Sequence, residues 1–270
     1  MPEKVNPALL EGKALVVIGG TTGLGFAASQ AFTAAGARVV ALGLPPEPVQ
    51  GGTQENRLER IIHDDATKPG AAAAAISECL EAFGRFDGLY HIAGGSGRRW
   101  GDGPLHEITD EGWQRTIDLN LSSVFYSNRA AVRQFLAQQT GGTILNLTSV
   151  LASCPSPHFF STHAYATAKA AIVGLTRSCA AAYAAKQIRF NALAPGLTDT
   201  PMAQRAAHDP RILDFVKTKQ PLDGGRIGRA EDLNAAAVYF MSEASVFTTG
   251  QVLAVDGGWG LSEGQFLDKA

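Results

Sequence analysis

The chain has 270 residues, a formal net charge of −2 and a pI near 6.3. That length suffices for one large α/β domain with a full core, and the near-neutral charge carries no electrostatic footprint for nucleic acid. The three cysteines, Cys79, Cys154 and Cys179, are odd in number and lack metal-ligand spacing, so the expectation is reduced thiols in a cytoplasmic protein with no metal site. No apolar run reaches membrane-spanning length, and the charged, proline-containing start of the chain does not read as a secretory signal.

Residues 1–11 read as a polar N-terminal arm. Residues 13–18 form a short apolar run, suited to a strand buried on both faces of a parallel sheet. Gly19-Gly-Thr-Thr-Gly23-Leu-Gly25 follows, and then an apolar helical pattern to Ala35. Strand, glycine turn and helix form the context in which a glycine-rich loop has chemical meaning. Glycines let the backbone approach a pyrophosphate, which the helix N-terminus meets with free N–H groups and a partial positive charge. The competing explanation is a tight turn that needs glycine for its conformation alone.

Residues 37–42 make a second strand. An acidic residue after such a strand would bind the adenosine ribose hydroxyls of a dinucleotide, and a basic one would accept a 2′-phosphate. Gly43 and Leu44 offer neither. Pro45, Pro46 and Pro48 predict an extended loop with a short or missing crossover helix over 49–56. A third strand over 58–63 leads through Asp64 and Asp65 to an alanine-rich helix over 68–83. The fourth strand, 86–92, runs into Ala93-Gly94-Gly95. The loop after it holds Arg98, Arg99 and Trp100. Arginines there would suit an acidic substrate, but the commoner reading, solvated side chains, is preferred. A long helical stretch over 109–139, bent near 121–123, precedes a fifth strand over 141–147 that ends at Thr148 and Ser149.

After a loop over 150–164 comes a helix to about residue 185, apolar nearly all round and so expected to be buried on more than one face. The sixth strand, 188–193, ends in Ala194-Pro195-Gly196. Residues 197–225 read as a substrate lid, 231–241 as a helix, 251–255 as a seventh strand and 259–270 as a polar tail. This alternation predicts a single α/β domain, a Rossmann-type doubly wound parallel seven-stranded sheet with helices on both faces. Ligands of such sheets sit outside the C-terminal strand ends, where the glycine turn, Ala93-Gly94, Ser149 and Pro195-Gly196 fall.

Tyr165 and Lys169 are four apart and share a helix face. A free phenol has a pKa of about 10 and shuttles protons poorly at neutral pH. An ammonium about 4 Å away is worth about 4 kcal/mol at an effective dielectric near 20, enough to lower the phenol by up to about three units. A tyrosine tuned in this way can give or take a proton near pH 7.

Taken together and in this order, these motifs resemble the short-chain dehydrogenase/reductase family in its compact single-domain branch. The resemblance rests on Gly19-xxx-Gly23-x-Gly25, Asp65, Ala93-Gly94, Asn120, Ser149, Tyr165-xxx-Lys169, Asn191-Ala-Leu-Ala-Pro195-Gly196, Gly228-Arg229 and Val255-Asp256-Gly257-Gly258, and spans about residues 12–258. It implies hydride transfer between NAD(P) and an alcohol or carbonyl carbon, with Asn120, Ser149, Tyr165 and Lys169 as a catalytic tetrad. It implies cofactor contacts from Gly19, Thr21, Thr22, Gly23, Leu24, Gly43, Asp65, Ala66, Ala93, Gly94, Tyr165, Lys169, Pro195, Gly196, Thr198 and Thr200. Tyr165 would be the proton donor or acceptor, Ser149 would hydrogen-bond the reacting oxygen, and Lys169 would hold the nicotinamide ribose and lower the tyrosine pKa. Asn120 would sit at a helix kink and hold a water, and Asp65 would reach the adenine.

Three departures stand out. Ile18 replaces a common threonine, so a loop-bracing hydroxyl is missing. His91-Ile92 replaces an asparagine pair, and His91 is read as a structural histidine. The segment from Ser149 to Tyr165 is about three residues longer than is common in the family, with Thr148 and Ser153 as reserves for Ser149. With no charge at 43 or 44 the cofactor preference leans to NAD, and NADP is not excluded. The expected partners are a small-molecule alcohol or carbonyl substrate and further copies of the chain, in a homodimer or homotetramer formed through the helices around 121–139 and 165–185. The alternative is a non-catalytic dinucleotide-binding sensor on the same fold.

Overall fold

The computed structural model describes residues 8–45 and 58–265. Pro46, Pro48 and the polar run of the expected extended loop, from 46 to 57, lie outside the described residues, as do the first seven and last five residues.

Seven strands form one parallel sheet: β1 (Ala14–Ile18), β2 (Arg38–Gly43), β3 (Arg60–His63), β4 (Gly88–His91), β5 (Gly142–Leu147), β6 (Ile188–Pro195) and β7 (Val252–Val255). Their order is β3-β2-β1-β4-β5-β6-β7. The chain therefore builds outwards from β1 on one side, then crosses back to lay β4 against the other side of β1. That reversal opens a crevice at the C-terminal ends of β1 and β4. Both faces of the central strands are buried, as in the all-buried ALVVI of β1, which is why they read as unbroken apolar runs.

Helices cover both faces. On one side α2 (Ala71–Phe83), α4 (Ser123–Gln138) and α6 (His163–Tyr183) pack Ala75, Ile76, Phe135 and Ala180 against Val16, Leu89 and Phe190. On the other, α1 (Gly23–Ala34) and α9 (Asn234–Met241) pack Phe32, Ala237 and Phe240 against Leu15, Val17 and Leu145. The stretch expected as one bent helix is α3 (Asp110–Ile117) and α4 joined by a π-helical turn, Asp118–Ser122, close to the expected bend.

Three expectations need correction. Leu10, assigned to the arm, is fully buried and ties back through its N–H to the Ala35 carbonyl. The loop before α6 contains a short helix, α5 (Pro157–Phe160); the lid carries α7 (Gln204–Ala207) and α8 (Pro210–Lys219), which contradicts no expectation. Trp259, assigned to the polar tail, is 1% exposed and packs with Val150, Ile212, Phe215 and Val216 beneath the lid. Within the single chain, α6 fully buries Ala164, Ala168, Lys169, Ile172, Thr176 and Ala180. That spacing follows one stripe of the helix, while Cys179 and Tyr183 pack against the same core and Val173 and Leu175 are half-covered.

Candidate active site

The turn after β1 is shaped by close approaches that only glycine permits. The Gly19 and Gly20 N–H groups both donate to the Leu42 carbonyl, at 2.6 and 3.0 Å. A Cβ on Gly19 would sit 2.5 Å from Ala93 N, and one on Gly25 would sit 1.9 Å from the Gly19 carbonyl oxygen. The buried Ser29 hydroxyl donates to the Gly25 carbonyl at 2.8 Å and lies 3.3 Å from that of Gly20. It supplies the bracing that Ile18 cannot. The sequence signal was a serine one turn beyond Gly25 on an otherwise apolar face, and it was missed. Thr22 caps α1 with its backbone only, so its side chain takes none of the helix's free N–H groups. This cradle fits a pyrophosphate. The lid leans on it, since Gly23 faces Pro201 and Thr200.

At the end of β2 the missing charge has a steric reason. A Cβ on Gly43 would sit 2.3 Å from Thr21 Oγ1, which donates to the Leu44 carbonyl at 3.2 Å. The Thr21 side chain thus occupies the space over Gly43. Asp65 is oriented by Thr67, whose N–H and hydroxyl donate to Asp65 Oδ1 at 2.9 and 2.8 Å. Ala66 packs against the core cluster beside it. Asp64 pairs with Lys68 instead.

Below the end of β4, His91 is fully enclosed. Its Nε2 lies 3.1 Å from the Ala93 carbonyl oxygen and its Nδ1 2.7 Å from Ser127 Oγ. A carbonyl only accepts, so Nε2 carries the proton and Nδ1 accepts from the serine. Burial, helped by the nearby charge of Lys169, pushes the imidazole down to about 3, so it stays neutral. Beside it Asn128 and Asn146 exchange amide hydrogen bonds, and Asn146 reaches Thr176 of α6. This polar network braces β4, α4, β5 and α6, as the structural reading of His91 expects.

Asn120, in the π-helical turn, is fully buried. Its Oδ1 accepts from Gly95 N, while Nδ2 donates to the Gly95 and Thr116 carbonyls. Both amide hydrogens are therefore committed to protein, and the side chain clamps the loop after β4. A Cβ on Gly94 would sit 2.8 Å from Asn120 Oδ1 and 3.3 Å from Lys169 Nζ, so Gly94 lies between the two.

Lys169, 2% exposed, donates to the Leu147 carbonyl at 2.9 Å. Burial pushes its ammonium down to about 8. Thr148, one of the reserves for Ser149, turns away and donates to the Lys169 carbonyl. Ser153, the other, lies beside Cys154. Ser149 Oγ accepts from Leu151 N at 3.2 Å, which leaves its own hydrogen to give. It also faces the Tyr165 phenol. Here one expectation is corrected. The Tyr165 pKa lies above that of a free phenol, because burial outweighs the lowering contact with Ser149. The lysine is no counterweight in this arrangement, with Nζ 5.5 Å from the centre of the tyrosine ring.

The residue that sequence reasoning missed most clearly is Asp102. It is 3% exposed, and its two carboxylate oxygens accept from Ala164 N at 3.0 Å and Tyr165 N at 2.9 Å. A carboxylate from the loop before α3 therefore caps α6 at the residue that carries the phenol. Gln220 plays a similar part after β6. Its amide accepts from Leu197 N at 2.6 Å and donates to the Leu197 carbonyl, holding the segment after Pro195-Gly196. Thr198 bonds within that segment, to the Gly196 carbonyl, while Thr200 faces the glycine turn.

A family model described as enoyl-(acyl carrier protein) reductase matches residues 19–260. The chain is 36% identical to 3beta-hydroxysteroid dehydrogenase 1 of Eggerthella lenta, covering 94% of this chain and 96% of that protein. It is 33% identical to cis-4-hydroxycyclohexanecarboxylate dehydrogenase of Sinomonas cyclohexanicum, covering 90% and 95%. The solved structure of a short-chain type dehydrogenase/reductase from Mycobacterium ulcerans superposes with a TM-score of 0.84 at 30% identity, covering 95% of this chain and 93% of that one. The chain belongs to the short-chain dehydrogenase/reductase family. It is an NAD(P)-dependent oxidoreductase acting on CH–OH groups and the corresponding carbonyls. The dehydrogenase relatives favour this over a non-catalytic dinucleotide binder. Among the described residues no helix is long and apolar enough to cross a membrane, and no three His, Cys, Asp or Glu side chains are grouped to hold a metal ion.

Proposed function

We propose that this short-chain dehydrogenase/reductase interconverts a small secondary alcohol and its ketone, with Tyr165 as the acid/base. The observation that carries the reading is the Ser149 hydroxyl facing the Tyr165 phenol, with Lys169 and Asn120 buried behind them. A nicotinamide held at the strand ends beside Tyr165 and Lys169 would supply or accept the hydride. Tyr165 gives its proton to the carbonyl oxygen or takes one from the alcohol. Ser149, with its oxygen committed to Leu151 N, donates to the same oxygen as charge develops there. Lys169, held at about 8, exchanges protons close to neutral pH and can restore the one the phenol loses. The raised phenol keeps its proton at neutral pH, which favours carbonyl reduction there and alcohol oxidation in more alkaline solution.

The glycine turn from Gly19 to Leu24, Asp65, Ala66, Ala93, Gly94, Pro195, Gly196 and Thr200 would hold the cofactor. NAD is favoured over NADP because Gly43 and Leu44 offer a 2′-phosphate no cation. Phe125 and Leu136, exposed on α4, and the half-covered Val173 and Leu175 of α6 support a homodimer or homotetramer, and the three free thiols fit the cytoplasm. Relatives named for a hydroxysteroid and a hydroxycyclohexane acid make a ring-borne hydroxyl a suitable first substrate class.

Titration with NADH and NADPH, followed by nicotinamide fluorescence, tests the cofactor assignment. A panel of cyclic ketones then tests the chemistry. Tyr165→Phe should lower kcat by about 10²–10⁴-fold with little change in cofactor affinity. If the Tyr165→Phe variant turns over as fast as the parent, Tyr165 has no place in the mechanism.

A further inference from the structure

Two arginines from distant segments, a turn and a helix, meet at one backbone carbonyl. Arg98 lies in the 3₁₀ turn Gly97–Trp100 between β4 and α3, and Arg205 lies in α7 of the lid. Arg98 Nη2 donates to the Phe159 carbonyl oxygen at 3.0 Å, and Arg205 Nη2 donates to the same oxygen at 3.2 Å. Among the described residues neither guanidinium is ion-paired with a carboxylate. Asp102 acts on Arg98 through space, but its two oxygens are committed to the N–H groups of Ala164 and Tyr165. Arg99 behaves differently, with its guanidinium over the Trp100 ring at 4.2 Å. Arg98 and Arg99 are both exposed, as the solvated reading expects, but Arg98 is also anchored to the Phe159 carbonyl.

The pair is electrostatically incomplete. Each guanidinium has five N–H donors and no acceptor, and the two share a single neutral oxygen. Burial and the charge of Arg205 hold Arg98 below its usual pKa. An oxyanion between them would remove the repulsion and take charge-assisted, bidentate hydrogen bonds. The position suits a substrate group. Phe159 belongs to the segment between Ser149 and Tyr165, and its ring joins an apolar wall with Phe160, Phe215 and Trp259.

We propose that Arg98 and Arg205 form a subsite for an anionic substituent of the substrate, a carboxylate or a phosphate. The anion docks between the guanidiniums, the apolar body lies against the half-buried Phe159 and Phe160, and the alcohol or ketone carbon faces Ser149 and Tyr165. Only this last placement rests on the oxidoreductase reading.

Isothermal titration of the full-length protein, with and without NADH, tests the subsite with three probes: cyclohexanecarboxylate, cyclohexyl phosphate and neutral cyclohexanecarboxamide. One of the anions should bind about 10–100-fold more tightly than the amide, the range of a charge-assisted contact, and which one does identifies the substituent. Arg98→Gln and Arg205→Gln should each remove about tenfold of that preference, and the double variant should erase it. Glutamine keeps an N–H for the Phe159 carbonyl, and thermal melts of the variants check that the loops stay in place. Equal binding of amide and anions, or a preference that survives in the double variant, overturns the proposal. So does a loss of NADH affinity in the variants, which would assign the pair to the cofactor's own phosphates. Failure to bind either NADH or NADPH, with the anion preference intact, would instead sink the oxidoreductase reading and leave the subsite standing.

Discussion

Replacing Asp102 by alanine should loosen the helix that carries Tyr165 and Lys169. The substitution leaves two backbone donors without their acceptor, Ala164 N in a fully buried position and Tyr165 N beside it. Each unsatisfied buried donor costs about 1–3 kcal/mol, and losing the negative charge at a helix N-terminus costs about 0.3–1 kcal/mol more. With partial relaxation we expect a loss of about 3 kcal/mol. At about 2 °C per kcal/mol for a chain of this size, that is a drop of about 6 °C in Tm. Asp102→Asn keeps one acceptor and should cost about half as much. Circular-dichroism melts of both variants with and without NADH provide the measurement, and kcat should fall in the same order because the phenol is anchored through its own N–H. If the alanine variant melts within about 1 °C of the parent, the cap contributes nothing of this size and the reasoning fails.

Buried Lys169 makes function and stability oppose each other. Its folded pKa of about 8 lies below the 10.5 of a free lysine, so the folded chain binds fewer protons between those values. The cost of burying the charge, about 3 kcal/mol, is complete below pH 8 and fades as pH rises to 10.5. Lys169→Met should abolish turnover yet raise stability at pH 7 by about 2 kcal/mol after the lost bond to the Leu147 carbonyl is counted, with the gain shrinking in melts at pH 10. His91 works on the acid side. Its folded pKa is about 3 against 6.5 when free, so stability is full above 6.5 and falls as pH drops towards 3. His91→Asn should flatten that acid limb by about 3 kcal/mol at pH 4, and equal acid sensitivity in urea titrations of parent and variant would contradict it. Gly43→Asp alone should weaken NADH binding, because its side chain meets Thr21 Oγ1. Joined with Thr21→Ala it should gain about tenfold in preference for NADH over NADPH, and the single variant making that gain unaided would refute the steric account.

Much of this protein was legible in its order of residues. Strands buried on both faces become unbroken apolar runs, as in β1, so the sheet could be counted before its order was known. The glycine turn was legible because its steric demand leaves no other residue, as the approach of Gly25 to the Gly19 carbonyl makes plain. Tyr165 and Lys169 were legible because helical spacing alone places them on one face. The sequence by itself therefore determined the doubly wound fold, the family and the identity of the groups that gather at the strand ends.

Only the tertiary structure decided how those groups are held and charged. Asp102 and Gln220 act on backbone atoms far away in the chain, and no local pattern announces such a pairing. Arg98 and Arg99 are neighbours in sequence, yet one reaches the Phe159 carbonyl and the other covers Trp100, because the turn that carries them points them apart. The Tyr165 phenol is raised rather than lowered because desolvation depends on everything packed around a group, whereas spacing supplies only its nearest partner. Local sterics and periodicity are written along the chain, but burial, long-range capping and the balance of charge arise only when distant segments meet.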